Sequence, residues 1–156
     1  RRTRSDTPPS TAGTTVADGV SVSTSYKLGD TVITGITPGT GASSVLANIS
    51  AGSGTVKVLK ADGTENTGAV GTGNKIAVYA NGTLVKQYDV VIYGDINGDG
   101  KISVVDLVMM QKQILGTSQL SGAYAAAADI SRDGKVSVKD LVLLQKHIIN
   151  AAQIEQ

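Results

Sequence analysis

Twelve residues in the C-terminal part of the chain have the types and spacing of ligands for a hard cation. Asp95, Asn97 and Asp99 offer side-chain oxygens at positions 1, 3 and 5 of a twelve-residue loop. Lys101 offers its backbone carbonyl at position 7, Ser103 stands at position 9 and Asp106 closes the loop at position 12. The set recurs at a constant offset of 34 residues as Asp129, Ser131, Asp133, the Lys135 carbonyl, Ser137 and Asp140. Calcium takes about six to eight oxygen donors in a flexible shell, and this set contains neither nitrogen nor sulfur ligands. Two calcium ions are therefore expected, one per loop. Gly100 and Gly134, at position 6, permit the sharp turn that brings the later ligands back around the ion. Position 12 is Asp in both copies, where the usual calcium-loop signature has Glu, so the closing ligand is a shorter side chain.

Each loop needs an element to hold it, and a helical pattern follows each. Residues 106–115 carry Leu107, Met110 and Ile114, and residues 140–149 carry Leu141, Leu144 and Ile148, a spacing that makes one buried stripe per helix. Gly116 is placed to stop the first helix. The first loop follows a strand-like segment, 88–93, so the units are a loop plus an exiting helix, without the entering helix of a full EF-hand. Ile102 and Val136, at position 8 of the two loops, are expected to pair across a short antiparallel contact.

Residues 20–93 have a different character, β-branched and punctuated by Gly. Strands are expected over 31–36, 55–60, 75–80 and 84–93, with 43–49 either a strand or a helical turn. Asn81-Gly82 supplies a two-residue hairpin turn and Asp62-Gly63 another reversal. The glycine-rich run 68–73 lacks the Lys-Ser/Thr ending of a phosphate loop and reads as a flexible turn. Residues 1–19 combine Arg1, Arg2 and Arg4 with Pro, Ser and Thr, and read as a linker or expression remnant with a solvated basic end. The expected organisation is a remnant at 1–19, a β module at 20–94 and a calcium-loop domain at 95–156. The fold class is mixed: an N-terminal all-β, sandwich-like module followed by a small α-helical domain with two EF-hand-like calcium loops.

Composition removes several function classes. The 156 residues carry 14 Lys and Arg against 13 Asp and Glu, a net +1 that gives no field for a nucleic-acid backbone. Cys is absent, which excludes disulfides, thiolate metal sites and cysteine nucleophiles. No apolar run approaches the roughly 18 residues of a membrane span, so no membrane insertion is expected. His147 stands alone, without a second His or Cys to complete a metal or acid–base constellation, and reads as a rim contact or a helix-end charge. With every loop carboxylate assigned to a cation, no acid, base or nucleophile remains, and the chain reads as non-catalytic. Carbohydrate binding by the β module has little to stand on, since it offers Tyr26, Tyr79, Tyr88 and Tyr93 as its aromatics.

Residues 95–149 resemble a dockerin domain. The resemblance is carried by the duplicated Asp-x-Asn/Ser-x-Asp-Gly-x-x-Ser-x-x-Asp-Leu pattern and by the pairs Gln111-Lys112 and Gln145-Lys146. It implies a third short helix within 120–128. Residues 20–93 look like the immunoglobulin-like or X-type module that commonly precedes dockerins. The family implies a non-catalytic, extracellular plug that binds a cohesin module of a scaffold or cell-surface protein, attaching its parent to a cellulosome-like, polysaccharide-degrading assembly. Family recognition falls on loop positions 10 and 11, here Val104, Val105, Val138 and Lys139. Nearby on the following helices lie Met109, Gln111, Lys112, Leu143, Gln145 and Lys146. Many relatives carry a small hydroxyl pair at positions 10 and 11, and the apolar residues here lead to the expectation of a type-II-like or divergent interface. The rival reading is a structural calcium module of a secreted enzyme or surface protein that has no cohesin partner.

Overall fold

Alternating β-branched segments of the N-terminal part pair into two sheets, and the periodic apolar segments of the C-terminal part form helices. The computed structural model describes residues 20–23, 25–150 and 152–156, so the expected linker at 1–19 lies outside the described residues. In order, the elements are β1 (Ser21–Val22), β2 (Lys27–Leu28), β3 (Val32–Thr34), α1 (Ala42–Ala47), β4 (Ile49–Ser50), β5 (Thr55–Leu59), β6 (Lys75–Ala80) and β7 (Thr83–Val90). They are followed by α2 (Val104–Leu115), α3 (Gly122–Ala128) and α4 (Val138–Ile148).

A five-stranded sheet has the order β2-β3-β7-β6-β5, and β1 pairs with β4 in a two-stranded sheet. The β6–β7 hairpin turns at Asn81 (φ 53°) and Gly82 (φ 79°), both in the left-handed region that a two-residue turn requires. The expected reversal after β5 is present too, with the Thr64 N–H donating to Asp62 Oδ1 at 3.0 Å. β7 pairs in parallel with β3 through Val32↔Asp89 and Ile33↔Val90. The segment that allowed either a strand or a helical turn is α1, whose Ala42 and Val45 point into the core.

Two apolar clusters result. The first gathers Ile33, Ile36, Val45, Val58, Ile76, Tyr88, Val90 and Ile92 around the five-stranded sheet. The second, smaller cluster centres on Ile96, Met110, Ala128, Ile130 and Leu144, with α2 packed on α4. The chain passes from one to the other through 90–96, where every residue except Tyr93 is buried. There is no exposed linker between the modules. The Gly94 N–H donates to the Ala127 carbonyl at 2.9 Å, which ties α3 to this passage.

The helix ends follow local rules. Both loop-exiting helices begin two residues earlier than the sequence spacing suggests, with Ser103 and Ser137 as N-caps. α2 ends at Gly116 in a left-handed conformation, φ 79°. The antiparallel pairing of Ile102 with Val136 does not form. Both side chains instead pack, half-buried, against the second cluster.

Candidate metal loops and docking face

Each loop folds around its own carboxylates because the backbone N–H groups turn inward. Asp106, three residues into α2 from its cap, reaches back over the first loop. Its Oδ1 accepts from the Ile96 N–H (2.8 Å) and the Asn97 N–H (2.9 Å), and its Oδ2 from the Ser103 N–H (2.8 Å). Asp95 accepts from the Gly98 N–H at 3.1 Å and from the Gly100 N–H at 3.0 Å. In the second loop Asp140 accepts from the Ser131 N–H (2.7 Å) and the Ser137 N–H (2.9 Å), and Asp129 from the Asp133 N–H (3.2 Å) and the Gly134 N–H (2.9 Å). The two copies thus share a scheme of bonds from positions 3 and 9 to the position-12 carboxylate and from position 6 to the position-1 carboxylate, and differ at positions 2, 4 and 5.

That scheme draws like charges together. Carboxylate oxygens of Asp95, Asp99 and Asp106 lie within 4.8 Å of one another, and so do those of Asp129, Asp133 and Asp140. Asn97 and Ser131, at position 3, join these clusters, with Asn97 Oδ1 accepting from the Asp99 N–H at 3.2 Å. Three carboxylates at this separation repel unless a cation lies among them. The donor set is made of oxygens alone, which fits a hard divalent cation. Lys101 and Lys135 stand at position 7 with exposed side chains, and the Lys101 N–H donates to Asp99 Oδ1 at 2.9 Å, the Lys135 N–H to Asp133 Oδ1 at 3.1 Å.

Burial sharpens the demand at the first loop. Desolvation pushes the Asp95 carboxyl up to about 6, against the opposing pull of the Thr72 and Gly100 N–H groups and with a further push from Asp106 and Asp99. Asp106 is also raised, chiefly by burial. A carboxyl raised on folding contributes stability below its unfolded value and loses it as pH rises through the folded one. At neutral pH the empty first loop is therefore penalised, and a bound cation reverses the penalty. Because ligation requires the ionised form, affinity at this loop should fall about tenfold between pH 7 and pH 5. Calorimetric titration of the metal at both pH values checks this, and a flat profile would contradict it.

The surface beside the loops is apolar and duplicated. Val104 and Val138, at position 10, are each 59 % exposed, and Leu115 and Ile149, at the far helix ends, are 76 % and 71 % exposed. Val105, Val108 and Val142 are exposed as well, with Gln111, Lys112, Lys139, Gln145 and Lys146 around them. A groove lined by Gln111, Ile114, Leu115 and Leu141 runs between the two helices. Met109 and Leu143, expected on this surface, are half-buried and packed on the second cluster, while Val108 and Val142 beside them are exposed. Sequence spacing alone had not marked Val108, Val142, Leu115 and Ile149. Their equal offset in the two copies was the available signal.

The ends of the C-terminal module meet beside the second loop. The Tyr93 N–H donates to Gln156 Oε1 at 2.6 Å, and Gln156 Nε2 donates to the Tyr93 carbonyl at 2.9 Å. The Arg132 guanidinium lies 4.1 Å from the Tyr93 ring centre and donates to the Glu155 carbonyl. His147 belongs to this closure. Its Nδ1 accepts from the Ile154 N–H at 3.1 Å, so it fixes the tail rather than forming a rim contact. The aromatics of the β module offer no open ring platform among the described residues: Tyr26 and Tyr88 are buried, and Lys57 lies over the Tyr79 ring.

A pair of acidic loops that could each hold a metal ion, each feeding a helix with an exposed apolar face, defines the C-terminal module. Residues 93–149 match the family model of the dockerin type I domain, so the C-terminal module is a dockerin domain preceded by a β module. The matching model is that of the type I domain. Two solved structures are similar to part of the chain, both of the third cohesin of ScaC in complex with the ScaB dockerin from Acetivibrio cellulolyticus. The one with a mutation in the N-terminal helix is 25 % identical, covering 42 % of this chain and 92 % of that chain, with a TM-score of 0.40. The one with a mutation in the C-terminal helix is 26 % identical, covering 42 % and 96 %, with a TM-score of 0.38. No curated protein matches the chain.

Proposed function

We propose that this chain is a non-catalytic, extracellular docking segment whose dockerin domain, loaded with two calcium ions, binds a cohesin module and so attaches its parent protein to a cellulosome-like complex or cell surface. The observation that carries this reading is the coincidence, in both repeats, of an acidic cluster with exposed valines on the helix it starts. The ions would be held by Asp95, Asn97, Asp99 and Asp106, and by Asp129, Ser131, Asp133 and Asp140, with the Lys101 and Lys135 carbonyls and Ser103 and Ser137 completing the oxygen sets. Ordered loops fix the helix starts, and the helix starts present the valines. An apolar centre with Gln and Lys at its edge is the composition expected of a protein–protein interface. No helix among the described residues is long and apolar enough to cross a membrane.

Calorimetry against a panel of type I, type II and divergent cohesins, run in calcium and again in chelator, tests the proposal. One-to-one binding in calcium alone is expected. Absence of binding across the panel with metal uptake intact would favour the purely structural module.

The duplicated faces add a second expectation. Val104→Asp with Val108→Asp disables the face on α2, and Val138→Asp with Val142→Asp the face on α4. If either face can lead, each double change alone should weaken cohesin binding less than about fivefold, and the four together by more than about a hundredfold. Complete loss after one pair would show that a single orientation is used.

A further inference from the structure

The two loops agree at their ligand positions and differ in what surrounds them. Over the first loop lies the glycine-rich turn of the β module, which is not a flexible turn: Val70, Gly71, Thr72, Gly73 and Asn74 are all buried. The approach is close enough to need glycine on both sides. A Cβ at Gly71 would stand 2.2 Å from the Gly98 carbonyl oxygen, one at Gly98 2.5 Å from the Thr72 oxygen, and one at Gly100 2.8 Å from the Val70 oxygen. A Cβ at Gly134, the counterpart of Gly100, would meet nothing within 4 Å.

The turn also holds a ligand. The Thr72 N–H donates to Asp95 Oδ2 at 2.9 Å, and the Gly39 N–H donates to the Gly100 carbonyl at 2.8 Å. Asp95 is fully buried, whereas Asp129 is half-buried and its donors among the described residues all come from its own loop. The turn is braced independently of the loop. Thr72 Oγ1 donates to the Ile92 carbonyl at 3.1 Å and accepts from the Ile92 N–H at 3.0 Å, while Asn74 Oδ1 accepts from Asn66 Nδ2 (2.8 Å) and the Gly71 N–H (3.1 Å).

We infer that the first metal loop is a composite site completed by the β module: the 70–73 turn positions Asp95 and shields it from water, so that an ion in this loop and the folded β module stabilise each other, while the second loop holds its ion unaided. The inference rests on the calcium reading above and makes the two sites unequal. Groups that orient a ligand commonly change metal affinity by about ten- to a hundredfold. An ion that binds only the folded arrangement must stabilise all of it, including the turn.

Two measurements on the full chain, with calcium alone as ligand, test this. Rapid mixing of the calcium-loaded protein with a fluorescent chelator should give two release phases. Asp129→Ala should remove the faster phase, and Gly71→Ala should speed the slower one about tenfold. Amide exchange of the unaltered chain needs no variant to fold: residues 69–74 and 90–92 should exchange at least about tenfold more slowly in calcium than in chelator. Equal release from both loops, or exchange at 69–74 that ignores calcium, would overturn the composite site and leave calcium-gated docking standing. Failure of either loop to bind calcium would overturn both.

Discussion

Chelation of calcium should abolish cohesin binding and remove most of the helical circular dichroism of the C-terminal module, while the signal of the five-stranded sheet persists. The expectation follows from the balance between a small core and a large charge. The second cluster has only five fully or nearly buried residues, one of them an alanine. Against it stand six carboxylates drawn into two clusters within 4.8 Å. At a calcium concentration about a hundred times the dissociation constant, one site adds ~2.7 kcal/mol to the folded state, so two add about 5 kcal/mol. That is comparable with the whole stability of a small domain, about 5 kcal/mol at the low end. Unchanged circular dichroism and unchanged cohesin affinity in chelator would refute the dependence.

Leu144→Ala should be the most damaging single core change in the dockerin domain. Leu144 is fully buried at the middle of α4, packed with Met110 of α2 and Ile96 of the first loop. Truncation of such a residue costs about 2–5 kcal/mol, from lost burial and from the cavity left behind. In so small a cluster little can move in to fill the space. Val142→Ala, two residues away and exposed, should cost less than about 0.5 kcal/mol of stability yet weaken the partner. Denaturant melts followed by helical circular dichroism, beside cohesin titrations, separate the two. A stable Leu144→Ala protein would mean that the ions alone hold the module together.

What the sequence made legible was what repeats or what obeys a local rule. The ligands of both loops could be read because the same residue types return in register, and the helices because Leu107, Met110 and Ile114 recur with helical period. Asn81-Gly82 announced its hairpin because few other pairs accept two positive φ angles. Residues 43–49 stayed ambiguous, since a short apolar run suits a strand or a helix equally, and only the burial of Ala42 and Val45 decided it. The parallel pairing of β3 with β7 is a non-local contact that no spacing encodes. The turn at 68–73 was misread for the same reason. Its glycines serve a surface 25 or more residues downstream, where Gly98 and Gly100 answer them.

The differences between the repeats, rather than their likeness, mark these long-range demands. Position 4 of the loop is Gly98 in the first copy and Arg132 in the second, both with positive φ. Gly98 faces the Thr72 carbonyl and has no room for a side chain. Arg132 accepts the unfavourable conformation and uses its side chain to cover Tyr93 and bind the tail.

The buried passage at 90–96 also decides what a choice of docking face means for everything upstream. A swinging tether would erase any record of which helix had met the cohesin. Here the 70–73 turn of the β module is fastened to the first loop through Asp95 and the glycine contacts, so the β module points in a direction set by that repeat. Docking by α2 or by α4 would then place the parent protein on different sides of the scaffold. If either face can lead, a nearly symmetric plug with a one-sided handle would turn each junction of an assembly into a two-way choice of placement, made without altering a single contact inside the chain.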